Sequence, residues 1–371
     1  MRLIFKLSPQ PLDKKKTGVF LLLLFSLQLS LPSSAAADTT KKRFVGEEII
    51  IEGLSLSYQL RFQEALAIFS RLETEHPGSP AGSFYPAAIT WGYVESDLRW
   101  RRVAELHAKT DVTKIFSAGT AKKLLDDMNT TIAICEKLLE SNKDDFEPLF
   151  YLAGAHGFAS RMEYYNGNYL SAMLHGKDSA DNFELLLIKH PDKGDALLGP
   201  GIYKYFLGRL SKTVRFVVWI LGTSGSKEEG LELIETAYRD STISRTESAD
   251  FLAMIYGRFE EDFPTGLYWA DKIEKENRAS PLANYHRLLI SHRSGDRIGE
   301  EKAAIGLKEK MMPIAKGLTN DWENLLDYTI GAIKKENGET ESARGYFLKA
   351  YNAPNLDPWL KKELRYRLDI N

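Results

Sequence analysis

The sequence predicts an all-α solenoid of antiparallel helical hairpins behind a short export segment. Three observations carry this. Apolar residues recur at helical spacing from residue 46 to the end, a matching pattern of small, aromatic and proline residues appears near both ends of that region, and no long stretch alternates apolar and polar with period two. With 371 residues, 43% hydrophobic and 27% charged, the chain has the composition of a folded soluble protein and the length of two ordinary domains or one extended array.

Residues 1–37 read as a signal peptide. Lys14, Lys15 and Lys16 flank an apolar run from Val19 to Leu31, interrupted by Ser26, Gln28 and Ser30. Pro32, Ser33 and Ser34 break any helix, and Ala35-Ala36-Ala37 offers small residues for cleavage before Asp38. As a helix this run spans roughly 20 Å, short of the roughly 30 Å hydrocarbon core, which favours cleavage over anchoring. The long basic flank keeps an uncleaved anchor as the alternative. No Cys follows the run, so a bacterial lipid anchor has no attachment point. Residues 38–45 read as a short linker to a single domain, 46–371.

Cleavage leaves 44 Lys+Arg and 50 Asp+Glu, a net charge of −6, and this excludes the basic surplus expected of a nucleic-acid binder. Cys135 is the only cysteine, so no intrachain disulfide forms. For an exported chain, this points to the bacterial periplasm rather than to a small disulfide-bonded module.

The first hairpin runs from Gly46 to Pro77. Phe62, Ala65, Leu66, Phe69 and Leu72 share one helix face, and Pro77-Gly78-Ser79-Pro80 ends it. Ile49 to Leu60, with Gly53 at its centre, forms the preceding helix. Gly53 to Ala65 is twelve residues and Ala65 to Phe69 four; Gly331, Ala343 and Phe347 repeat those offsets, followed by Ala350 and Pro354. Gly338, in Glu336-Asn337-Gly338-Glu339, marks the turn of that last hairpin. Asp357 to Leu368 reads as a capping helix with a charged outer face.

Between the ends the pattern degrades. Phe183, Leu186 and Pro191 keep the spacing of Phe69, Leu72 and Pro77. Gly154 and Gly201 occupy small-residue positions of first helices, and Gly230, Ile234 and Ala237 those of a second helix. Ala253 and Tyr256 precede Gly266, Ala270 and Ile273 as another pair, and Pro281–Ser291 with Ile298–Met311 form a further one. Six or seven hairpins result, with 104–131 expected as an insertion.

These spacings resemble the tetratricopeptide repeat, in which a small residue lets two helices approach, an A-x3-F pattern fills the gap, and Pro ends the second helix. The resemblance covers most of 46–370 and is most specific in the two terminal hairpins. The centre, from Gly201-Ile202-Tyr203 to Glu229-Gly230-Leu231, is similar to the tetratricopeptide repeat protein 39 family and its bacterial relatives. Such a resemblance implies the fold and an extended concave binding surface, and little about activity.

No catalytic constellation is evident. None of the seven histidines forms His-Glu-x-x-His. His286 and His292, six residues apart, point about 240° apart on a helix, so no metal site is expected. Gly199-Pro200-Gly201 lacks the Lys-Ser/Thr of a phosphate loop and reads as a turn or a close helix approach. Cys135, in apolar Ile132–Leu139, reads as a buried, inert thiol. The acidic pairs Asp126-Asp127 and Asp144-Asp145, and Glu260-Glu261-Asp262, read as solvated helix faces and ends.

Two features remain. Aromatic residues are dense, and serve either as core filler or as interface anchors; Tyr85, Trp91, Tyr165 and Tyr203 are the candidates for a partner-binding groove. Val214 to Leu221 is the most hydrophobic stretch after the signal, a buried helix or a peripheral membrane contact, and too short to span. The expected function is a non-catalytic scaffold or adaptor holding a protein or peptide partner, without cofactor. The alternatives are an envelope-associated assembly subunit contacting the membrane through 214–221, and a cell-envelope hydrolase using paired carboxylates.

Overall fold

Helix pairing in this chain starts from its glycines. In a computed structural model, which describes residues 44–108, 118–212, 224–314, 322–354 and 356–370, fifteen α-helices and no strand occur among the described residues. They follow as seven successive pairs and a cap. The pairs are α1 (Glu47–Tyr58) and α2 (Phe62–Glu75), α3 (Ala81–Glu105) and α4 (Ala118–Leu139), and α5 (Phe146–Tyr165) and α6 (Tyr169–Lys189). Next come α7 (Leu198–Gly208) and α8 (Lys227–Asp240), then α9 (Arg245–Met254), extended by a wide turn at Ile255–Glu260, and α10 (Phe263–Glu276). The last pairs are α11 (Leu282–Ser294) with α12 (Arg297–Met311), and α13 (Trp322–Glu336) with α14 (Thr340–Tyr351), before the cap α15 (Pro358–Leu368).

In the first pair Gly53 faces the ring of Phe69, and a methyl group added at Gly53 would lie 2.4 Å from that ring. Gly331 faces Phe347 in the same way in the last pair, at 2.8 Å. Gly201 packs on Ile234 between α7 and α8. Small residues therefore bring paired helices close, and one large side chain fills the groove. Burying Phe69 completely contributes about 2–3 kcal/mol. This packing makes the chain an α-solenoid of antiparallel helical hairpins.

The turns repeat as well. Leu60, Gly167, Glu261, Gly295 and Gly338 adopt positive φ, and each stands two residues before the second helix of its pair. A left-handed residue there reverses the chain within a few positions, which is why Gly recurs.

The array closes on itself. α3 continues past α2 and α5 to pack against α13. Arg101 pairs with Asp357, the N-cap of α15, at 3.1 Å, and the Tyr328 hydroxyl donates to the His107 carbonyl at 2.9 Å. The first hairpin also meets the middle of the chain, where Asn277 Nδ2 donates to the Ser55 carbonyl at 3.0 Å. One hydrophobic core consequently joins the N-terminal pairs to the C-terminal ones, and a second runs through residues 197–283.

Two boundaries differ from expectation. The stretch 104–131 supplies the end of α3 and the first half of α4, which packs between α3 and α5; residues 109–117 lie outside the described residues. Phe44, at the end of the expected linker, is buried against Phe146 and Phe150 at ring distances of 5.4 and 5.1 Å. The signal segment 1–37 and the apolar run 214–221 lie outside the described residues.

Candidate functional site

The first helices of three pairs bring a charged cluster together. Asp250 of α9 accepts from both guanidinium nitrogens of Arg99 on α3, at 3.2 and 2.9 Å. It also accepts from His286 Nε2 on α11 at 2.7 Å, the donor role following from the ionised carboxylate. Burial pushes the Asp250 carboxyl up, but Arg99 and His286 outweigh it and hold it far below the usual carboxylate range. Arg99 also lies over the Tyr285 ring, 5.5 Å from its centroid.

Glu247, one turn before Asp250, is open to solvent. Desolvation nevertheless pushes its carboxyl up to about 7, with Asp250 and Glu95 adding repulsion. Glu247 therefore belongs to the same charged cluster as Asp250 and Arg99. This cluster is rich in arginine. Arg102, Arg161 and Arg258 are exposed, and among the described residues none of them forms an ion pair. Arg161 lies over Trp91 at 5.3 Å and favours the ionised form of Glu247. Desolvation and then Arg102 depress the Arg258 guanidinium, so the two cations face each other without a neutralising carboxylate.

Two of the four aromatic candidates, Tyr85 and Trp91, are buried in the core. Tyr85 is core, stacked on Phe69 at 4.8 Å and 6° and meeting the Tyr151 ring at 5.8 Å. Trp91 is core as well, its exposure only 4%. Both point between helices because the close approach of α2, α3 and α5 needs large fillers. Tyr203 is half-buried on α7, and the Tyr165 side chain lies outside the described residues. Exposed apolar side chains stand instead on α6, where Tyr169, Leu170, Met173 and Leu174 line one face.

Paired carboxylates for hydrolysis are not available in this cluster. Glu247 and Asp250 have the split ionisation that acid–base chemistry uses, but Arg99 and His286 occupy both Asp250 oxygens. Burial pushes the Cys135 thiol up to about 12, which leaves it unreactive.

Two histidine clusters have the atoms of a metal site: His107, His292 and Glu300, and His156, His175 and Asp178. Neither follows a spacing on one helix. The ligand atoms of the first come from the turn after α3, from α11 and from α12, and folding alone unites them. Burial pushes the Glu300 carboxyl up, but hydrogen bonds from His107 and His292 outweigh it and hold it at about 2.

No protein-family model matches the sequence, and no curated protein matches it either. Among solved structures the chain is similar to the crystal structure of yeast Tom70, at 12% identity and a TM-score of 0.39, over 86% of this chain and 74% of that one. It is also similar to a human IFIT1 dimer with m7Gppp-AAAA, at 14% identity and a TM-score of 0.42, over 84% of this chain and 69% of that one. The hairpin packing described above defines the class without them: an all-α solenoid of antiparallel helical hairpins.

Proposed function

We propose that the chain is a non-catalytic scaffold that holds an acidic segment of a protein or peptide partner against an arginine cluster, in an exported, periplasmic compartment. The observation that carries this is the set Arg102, Arg161 and Arg258, exposed around the Arg99–Asp250 pair and not ion-paired among the described residues. Guanidinium groups bind carboxylates through paired, charge-assisted hydrogen bonds, and do so most strongly where surrounding protein excludes bulk water. Arg99 is already committed to Asp250 and frames the site rather than serving it. The net charge of −6 after removal of 1–37 works against a nucleic-acid ligand. Among the described residues no helix is long and apolar enough to cross a membrane.

A photo-crosslinking amino acid at position 247 tests the proposal in the native envelope. It should yield a protein adduct that Arg102→Glu/Arg161→Glu/Arg258→Glu abolishes. An adduct formed only from positions 170 or 173 on α6, or an RNA adduct at 247, would overturn it.

A further inference from the structure

We propose that His107, His292 and Glu300 form a zinc-class divalent cation site that fastens the closure of the array. Glu300 Oε1 lies 3.0 Å from His107 Nε2 and 2.6 Å from His292 Nδ1. All three candidate ligand atoms lie within 4.8 Å of one another. Atoms held about 2.0–2.1 Å from a tetrahedral zinc lie roughly 3.3 Å apart. An ion therefore enters if the His107 gap opens by roughly 0.3 Å and the His292 gap by roughly 0.7 Å, and His292, 26% exposed at its side chain, can supply the larger movement.

The surroundings are built as metal sites are built. The second ring nitrogen of His107, Nδ1, meets Glu336 Oε1 at 3.0 Å, which orients the imidazole and leaves Nε2 facing the site. Glu300 Oε2 is contacted by Arg297 at 3.4 Å, and Arg297 also pairs with Glu336. Glu300 and the His107 side chain are fully buried, so the groups are fixed by packing. An entering cation displaces the proton that His107 holds toward Glu300, and once that proton has left, two carboxylates and one guanidinium leave a net negative charge that a divalent cation offsets. Two imidazoles and one carboxylate are a donor set suited to zinc, with a further position for water on the side where His292 meets solvent.

The position gives the ion a role. His107 follows α3, whereas His292 and Glu300 flank the turn from α11 to α12, 193 residues away for Glu300. Arg367 and Tyr328 hold the His107 carbonyl from the C-terminal helices. An ion at this junction would pin the first half of the array to the last. The other trio, His156, His175 and Asp178, is more open and lies within one hairpin, so it serves as the internal comparison.

The test is a cobalt titration of the purified full chain, followed by zinc displacement and thermal melting. One equivalent of cobalt should give a ligand-field band in the visible, zinc should remove it, and zinc should raise Tm. His292→Ala should weaken uptake at least tenfold and cancel the rise in Tm, whereas His175→Ala should keep both. His292→Cys should add a thiolate-to-cobalt charge-transfer band, a gain of signal that requires folded protein. The proposal is overturned if the wild-type chain takes up no cobalt, if His292→Ala binds as the wild type does, if His175→Ala abolishes uptake, or if folded His292→Cys shows no thiolate band.

Discussion

Replacing Gly53 with alanine should destabilise the protein, although alanine is the better helix former. The added methyl would sit 2.4 Å from Phe69 Cζ, and carbon atoms need about 3.5–4.0 Å. The ring must retreat by more than 1 Å, yet Phe69 is fully buried and stacked 4.8 Å from Tyr85, which itself packs on Tyr151. Overpacking of this kind costs about 1–3 kcal/mol. Helix propensity returns about 1 kcal/mol. Because the ring has no empty direction, the net loss should be about 1–2 kcal/mol. Gly345, within α14, is the control: nothing lies within 4 Å of its added methyl, so Gly345→Ala should gain about 0.5–1 kcal/mol. Urea unfolding followed by circular dichroism compares the two, with unchanged slope as the condition for reading midpoints as stability. Gly53→Ala/Phe69→Leu should recover part of the loss, a coupling that only direct contact produces. If Gly53→Ala stabilises as Gly345→Ala does, the close-packed hairpin is refuted.

Three further outcomes follow from single residues. Asp195 accepts the backbone N–H groups of Thr242, Ile243 and Ser244 at 3.0, 2.9 and 3.0 Å, so Asp195→Ala should cost about 3 kcal/mol in urea unfolding, and Asp195→Asn less. Glu261 is exposed at φ 56°, and Glu261→Gly should raise the unfolding free energy in urea by up to about 1 kcal/mol, the relief of left-handed strain exceeding the lost surface pair with Arg293. Glu247 binds its proton more tightly in the folded chain, at about 7 against an ordinary 4.5, so it stabilises the fold below pH 4.5 and that contribution is lost as pH rises to 7. Discounted for solvent screening, Glu247→Gln should gain about 1 kcal/mol on the wild type across that window, and equal pH profiles would show that Glu247 is not enclosed.

Much of the fold is legible in the sequence because the hairpin rule is local. Gly53 with Phe69, and Gly331 with Phe347, sit at fixed offsets, and both pairs touch. The glycines two residues before α6, α12 and α14 are equally readable, whereas Leu60 and Glu261 hide the same turn behind residues that rarely adopt it. Closure was not legible. Nothing near Arg101 signals Asp357, and nothing near His107 signals Glu300, since both contacts join segments nearly two hundred or more residues apart. The burial of Tyr85 and Trp91 was hidden for a related reason: at helical spacing, an aromatic side chain that fills a groove between helices looks the same as one that lines a binding surface. Arg102 stood in plain view in Arg99-Trp100-Arg101-Arg102, but an arginine becomes informative only once its neighbours show that no carboxylate answers it.

The most direct test of the arginine-cluster account is fluorescence anisotropy of a labelled oligo-glutamate peptide titrated with the full chain at rising salt, beside an oligo-lysine peptide and the Arg102→Glu/Arg161→Glu/Arg258→Glu variant. The account predicts that oligo-glutamate binds, that its affinity falls as salt screens the arginines, that the variant binds at least tenfold more weakly, and that oligo-lysine does not bind. Equal binding of oligo-glutamate by the wild type and by a folded variant would contradict it.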